Sequence, residues 1–186
     1  MEMKEFIQNG LGNVKRGFNR TLDSLTPAEL KWQPRSDANS IGLILFHSIR
    51  VEDSTIHMLK GKSQLWETEN WYQKLHKAID DGGAHYTGEQ VAAFVVPELK
   101  ELNVYAEAVR KDTLEYLNTL KPEDFDTKVN IPLPPARVAI PSGSLAPSRP
   151  TFNLTVGSML LMLVTHLSQH AGEMSYIRGL QRGIDK

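Results

Sequence analysis

Apolar residues recur at steps of three and four in four long stretches of the chain, the period of an α-helix. The first stretch carries Ile7, Leu11, Val14, Phe18 and Leu22 and is expected to end near Ser24. Asn39 or Ser40 stands where it can cap a second helix from Ile41 to about Lys60, with Gly61 as its stop. Pro97 opens a third, whose stripe is Leu99, Leu102, Ala106, Val109, Thr113, Tyr116 and Leu120. The fourth, capped by Thr151 or Asn153, carries Val156, Met159, Leu160, Leu163, His166, Leu167, His170, Met174 and Ile177, and closes at Gly179 and Gly183.

Two of these helices depart from a simple one-sided stripe. In the second, Leu43, Ile44, His47, Val51, Ser54 and Met58 share one face, while Leu45, Ile49, Ile56 and Leu59 lie roughly opposite. A helix apolar on two sides is expected to be buried on two sides. The fourth is apolar all round from Met159 to Val164, so protein is expected on every side of it there. Gly10, Gly12 and Gly17 weaken the first helix by about 1 kcal/mol each relative to Ala, a cost consistent with close helix packing.

Shorter signals lie between the long helices. Thr26-Pro27-Ala28-Glu29 is a capping box with Pro at the first helical position, and Thr87-Gly88-Glu89-Gln90 is another, opening a short helix to about Phe94. Residues 65–83 are irregular and aromatic, with Trp66, Trp71, Tyr72 and His76, and read as a pocket wall or a cover over the core. Residues 127–150 are rich in Pro, Ser and Gly, with extended pieces at 128–131 and 137–140 that could pair as one small hairpin. The pattern predicts an all-α protein: a four-helix bundle with short helical inserts and a long Pro-rich loop before the last helix, in a single domain spanning residues 1–186.

Composition narrows the function. Charged residues make up 23% and the net charge is −1, so no basic excess points to nucleic acid. There is no cysteine. This excludes disulfides, a Cys nucleophile and thiolate metal ligands, and leaves His, carboxylate and water for any metal. The charged start Met1-Glu-Met-Lys-Glu-Phe6 resembles no signal peptide, and the longest apolar run is far too short for a bilayer, so a cytoplasmic protein without a membrane partner is expected. No phosphate loop, nucleophile elbow or dinucleotide fingerprint is present in the sequence.

The candidate chemistry lies in His166 and His170. At i, i+4 they stack one turn apart in the apolar stripe of the fourth helix, a spacing that lets two imidazoles hold one metal ion. His47, set among aliphatic residues of the second helix, is the natural third ligand. The competing reading is that each histidine is a core side chain bonded to a backbone carbonyl. Glu173 follows His170 by three and is the candidate catalytic carboxylate, as a base on bound water or as a group orienting a ligand. Glu52 and Asp53 fall well around the helix from His47 and read as ion-pairing or supporting residues. Ser54 reads as bonded to its own helix, Glu107 and Lys111 as a solvated i, i+4 pair, and His57, His76 and His85 as surface or capping groups.

Several segments together resemble the DinB-like (YfiT-like) superfamily of metal-binding four-helix bundles over nearly the whole length. They are Trp32-x-Pro34, Asn39-Ser40-Ile41-Gly42, Leu45-Phe46-His47, Arg50-Val51-Glu52-Asp53, His85-Tyr86-Thr87-Gly88-Glu89-Gln90-Val91, His166-x-x-x-His170-Ala171-Gly172-Glu173 and Arg178-Gly179-Leu180. The resemblance implies an up-down-down-up style bundle, a three-His metal site at His47, His166 and His170, and a homodimer built through helix faces. It also implies a divalent ion, Zn or Ni with Fe as a third choice, and a low-molecular-weight thiol as cosubstrate. The function expected is S-transfer to a small electrophile or metal-assisted hydrolysis. The alternative is a non-catalytic metal-binding bundle acting through its dimer or partner surface. The insert at 133–150 is bulkier than the family pattern.

Overall fold

The computed structural model describes residues 2–129 and 154–183. Among them are eight α-helices and one 3-10 turn, in an all-α arrangement. The long helices are α1 (Met3–Leu22), α3 (Ile41–Lys60), α7 (Leu99–Thr119) and α8 (Val156–Arg182). Between them lie α2 (Pro27–Lys31), α4 (Leu65–Thr68), α5 (Trp71–Lys74) and α6 (Gly88–Ala92). A 3-10 turn at Pro122–Asp126 follows α7.

Local chemistry sets these boundaries. Ser40 Oγ accepts from Leu43 N and starts α3, and Gly61, at φ 62°, ends it in the left-handed conformation. Thr26 and Thr87 form the two predicted capping boxes. The last helix starts later than expected. Its cap is Thr155, whose Oγ1 accepts from Ser158 N at 3.2 Å while Ser158 Oγ accepts from Thr155 N at 2.7 Å. Gly179 lies inside α8, and Gly183 is its C-cap.

The long helices are neighbours in the order α1, α8, α3, α7, and α7 touches α1 only lightly. One core cluster joins Phe46, Trp66, Trp71, Leu102, Tyr105, Val109, Met174 and Ile177. A second joins Ile7, Leu11, Val14, Ile56, Leu117, Leu160, Leu163 and Leu167. On α7 the buried set is Leu102, Tyr105, Val109, Thr113 and Leu117, so Tyr105 and Leu117 join the expected stripe. The glycines of α1 divide by face. A Cβ on Gly10 would stand 2.7 Å from Val164, and one on Gly17 would stand 3.3 Å from Ala171 Cβ, so these two set the approach of α1 to α8.

Four expectations are corrected. Met159 to Val164 is not enclosed: Leu161 is 44% and Met162 55% exposed among the described residues. His57 is buried, between Asp53 and Asp112. Glu107 pairs with Lys15 of α1, and Lys111 with Glu115, rather than with each other. Lys128, expected in a hairpin with the following segment, bridges Thr155 beside the start of α8. The rest of that hairpin and of the Pro-rich loop lies outside the described residues. No helix among those described is long and apolar enough to cross a membrane.

Candidate metal centre

α3 presents His47, Arg50 and Asp53 on successive turns, and these three tie the segment between α3 and α7 to the bundle. Asp53 is fully buried. Its Oδ1 accepts from Leu65 N at 3.1 Å, and its Oδ2 accepts from Trp66 N at 2.9 Å and from Tyr105 Oη at 2.5 Å. Arg50 Nη1 and His57 Nδ1 also stand against this carboxylate, at 3.3 and 2.8 Å. Four donors, Leu65 N, Trp66 N, Tyr105 Oη and Arg50 Nη1, thus bond one carboxylate, while His57 Nδ1 bonds the Asp53 carbonyl at 2.9 Å; the four offset the cost of burying this group. Burial, followed by the charge of Asp53, pushes the Tyr105 phenol far above its usual range and keeps it a donor.

The same scaffold positions the next loop. Trp66 Nε1 donates to the Ile79 carbonyl at 2.8 Å, and the Arg50 guanidinium lies 4.2 Å over the Trp66 ring. Arg50 Nε donates to the Asp81 carbonyl at 3.3 Å. The Asp81 carboxylate accepts from Gly83 N at 2.9 Å and also from the Tyr86 hydroxyl. Gly83 sits at φ 70°, and a Cβ there would stand 3.1 Å from Arg50 Cγ. The result is a carbonyl aimed back at α3: His47 Nδ1 donates to Gly83 O at 2.8 Å.

His166 and His170 come from α8. Glu173, one turn on, accepts from His170 Nδ1 at 2.6 Å. The Nε2 atoms of His47 and His170 each lie 3.0 Å from His166 Nε2. The three imidazoles form one group of ligand atoms, all within 4.8 Å of one another. The structure therefore brings the three expected ligands together. It places the Glu173 carboxylate on the outer nitrogen of His170.

The tautomers test whether these residues fit a cation. With Nδ1–H of His47 given to Gly83 and Nδ1–H of His170 given to Glu173, both Nε2 atoms carry lone pairs. His166 Nε2 faces both at once and has at most one proton, which can bond only one of them. With the His166 proton on Nδ1, three lone pairs converge, and a cation would satisfy all three. Nitrogens held about 2.0–2.1 Å from one ion stand about 3 Å apart when they subtend roughly a right angle there, and the two spacings to His166 Nε2 match. The carbonyl and carboxylate behind His47 and His170 are the usual partners of metal-bound imidazoles. Burial is the largest influence lowering the His47 and His166 pKa values below the usual imidazole range. Neighbouring imidazoles add to this in both, while the Gly83 carbonyl (for His47) and Glu173 oppose it.

The cluster opens into a solvent-connected cavity of about 500 Å³, whose walls include Asn39, Leu43, Gly83, His85 and Tyr86. His85 is exposed and sits at φ 61°, in the left-handed region that side chains rarely adopt. It lines the cavity of the three histidines, a place no helical spacing could reveal. Ser54, as expected, bonds its own helix at Val51 O. Glu52 is held bidentate by Arg110, at 2.7 and 2.8 Å, and touches none of the histidines.

An all-α bundle with three imidazoles converging from two of its helices defines the class: a helical protein with a possible three-His metal centre. The family follows from comparison. The model of the DinB superfamily matches residues 13–174, and the chain belongs to that superfamily. A crystal structure described as a conserved protein of locus from Enterococcus faecalis shares the fold, with a TM-score of 0.78 and 23% identity over 97% of each chain. No curated protein matches the chain.

Proposed function

We propose that His47, His166 and His170 hold one divalent metal ion, Zn or Ni before Fe, and that the chain is a metal-dependent enzyme. The observation that carries this reading is the convergence of three Nε2 atoms with the outer nitrogens of His47 and His170 already bonded. A divalent ion among neutral imidazoles supplies a charge that favours an anionic ligand and lowers the pKa of a bound thiol or water.

The chain's own groups do the rest. Gly83 O fixes the His47 tautomer, and the Glu173 carboxylate fixes that of His170. Glu173 is a positioning residue in this scheme. The cavity beside His85 and Tyr86 leaves room for a small molecule. The reaction proposed is S-transfer from a low-molecular-weight thiol to a small electrophile, with metal-assisted hydrolysis as its close variant. A cytoplasmic setting, a small-molecule substrate and a homodimer belong to the same proposal.

The test is turnover of a panel of electrophiles and esters by zinc- or nickel-loaded protein, with and without low-molecular-weight thiols. Activity that needs the metal and disappears in His166→Ala/His170→Ala is expected. No turnover across the panel by fully loaded protein contradicts the enzyme reading in favour of a non-catalytic metal-binding bundle.

A further inference from the structure

A second opening reaches the histidine cluster along α8. It is a groove of about 510 Å³ between α3 and the first half of α8, with walls that include Val51, Thr55, Met159, Met162, Leu163 and His166. Val51 and His166 also line the first cavity, so the two meet at the cluster. Their chemistry differs. The first sets Asn39, His85 and Tyr86 among aliphatic side chains, whereas the second is walled mainly by aliphatic and methionine side chains. Methionines suit apolar chains of varied shape because they are unbranched and polarisable.

We propose that this groove is a tail-binding subsite: it takes the aliphatic part of a substrate whose anionic head lies at the three histidines. The inference rests on the proposed metal centre and extends it to a substrate class, an amphiphile with a metal-seeking head and an apolar tail. His166, which stands in the wall of this groove as well as in the cluster, is what selects this occupant. A ligand held by its head at His47, His166 and His170 has its next atoms delivered to the mouth of an apolar channel. From His166 back to Met159 the helix provides about 10 Å, enough for about six to eight methylenes. The first cavity, with Asn39, His85 and Tyr86 in its wall, is left for the second reactant.

Titration calorimetry of the zinc-loaded protein with straight-chain alkyl hydroxamates, from acetohydroxamate to octanohydroxamate, tests this. Affinity is expected to rise about three- to fourfold per methylene and then level off as the groove fills. Met162→Asp, at an exposed position, should flatten the series while zinc content and acetohydroxamate binding persist. Thr55→Trp should end the rise at a shorter chain. A flat series in the parent, with zinc bound and acetohydroxamate binding intact, overturns the subsite and leaves the metal centre standing. A rise unchanged in both variants places the tail elsewhere and also overturns it. A flat series together with a dimer that Met162→Asp dissociates assigns the groove to a second copy of the chain. If no zinc is retained, the metal reading falls and this inference with it; zinc retained with no hydroxamate bound overturns the inference alone.

Discussion

At the scale of single residues, a backbone carbonyl decides the state of His47. Gly83 accepts from its Nδ1, and only a residue tolerating φ 70° beside the Arg50 side chain can place that carbonyl there. Gly83→Ala is expected to weaken zinc affinity about tenfold to a hundredfold, the usual effect of disturbing the group behind a metal-bound imidazole. Competition against a chromophoric chelator measures it, and an unchanged affinity would show that the carbonyl is not needed. Protonation gives a second test. His47 and His166 have lowered pKa values, while in the unfolded chain they titrate near 6.5. The unfolded state then binds more protons below that pH, so stability rises with pH across the window and is lost as pH falls from about 6.5. The metal-free parent should lose more thermal stability between about pH 7 and 5 than His47→Ala/His166→Ala; equal losses would contradict the assignment. The three histidines were legible from spacing and apolar surroundings alone. Gly83 was not, because a carbonyl leaves no side-chain signature and Asp81-Gly82-Gly83 reads only as a turn. His57 reads as a surface group for a similar reason: its partner Asp112 comes from α7, far along the chain.

At the scale of elements, the segment between α3 and α7 turns out to be a built support. Its helices α4 and α5 are four residues each, too short to display a period, which is why the sequence reads as irregular there. Asp53 holds it through Leu65 N and Trp66 N, and Arg50 continues the path to Asp81 and so to Gly83. Asp53→Asn leaves Arg50 without its buried countercharge and should cost about 3–5 kcal/mol in urea unfolding, the range for breaking a buried pair. Zinc affinity should fall along with stability, since the loop carrying Gly83 loses its anchor. Stability within about 0.5 kcal/mol of the parent would make the network incidental. Glu52 and Asp53 read as ion-pairing charges in the sequence and pair with Arg110 and Arg50, though nothing in the sequence ranks Asp53 as the hub. The start of α8 was also ambiguous. Thr151, Asn153 and Thr155 are all capping residue types, and Ser158 three residues on completes the box at Thr155.

At the scale of the whole molecule, the four-helix arrangement was legible because long periodic stripes with caps and stops admit few alternatives. What periodicity could not show is which apolar residues remain outside. Met159 to Val164 reads as enclosed on every side, yet Leu161 and Met162 are exposed among the described residues and border the groove that leads to His166. The bundle brings His47 of α3 against α8, two helices far apart in the chain, and the site exists only because that packing forms. The measurement closest to the central claim is metal content by elemental mass spectrometry on tag-free protein. It should be made beside His47→Ala and His166→Ala/His170→Ala, with folding checked by circular dichroism. One divalent ion per chain in the parent and none in the folded variants is the predicted result. A parent that stays empty after incubation with Zn²⁺ and Ni²⁺, or variants that keep their full complement, would contradict it.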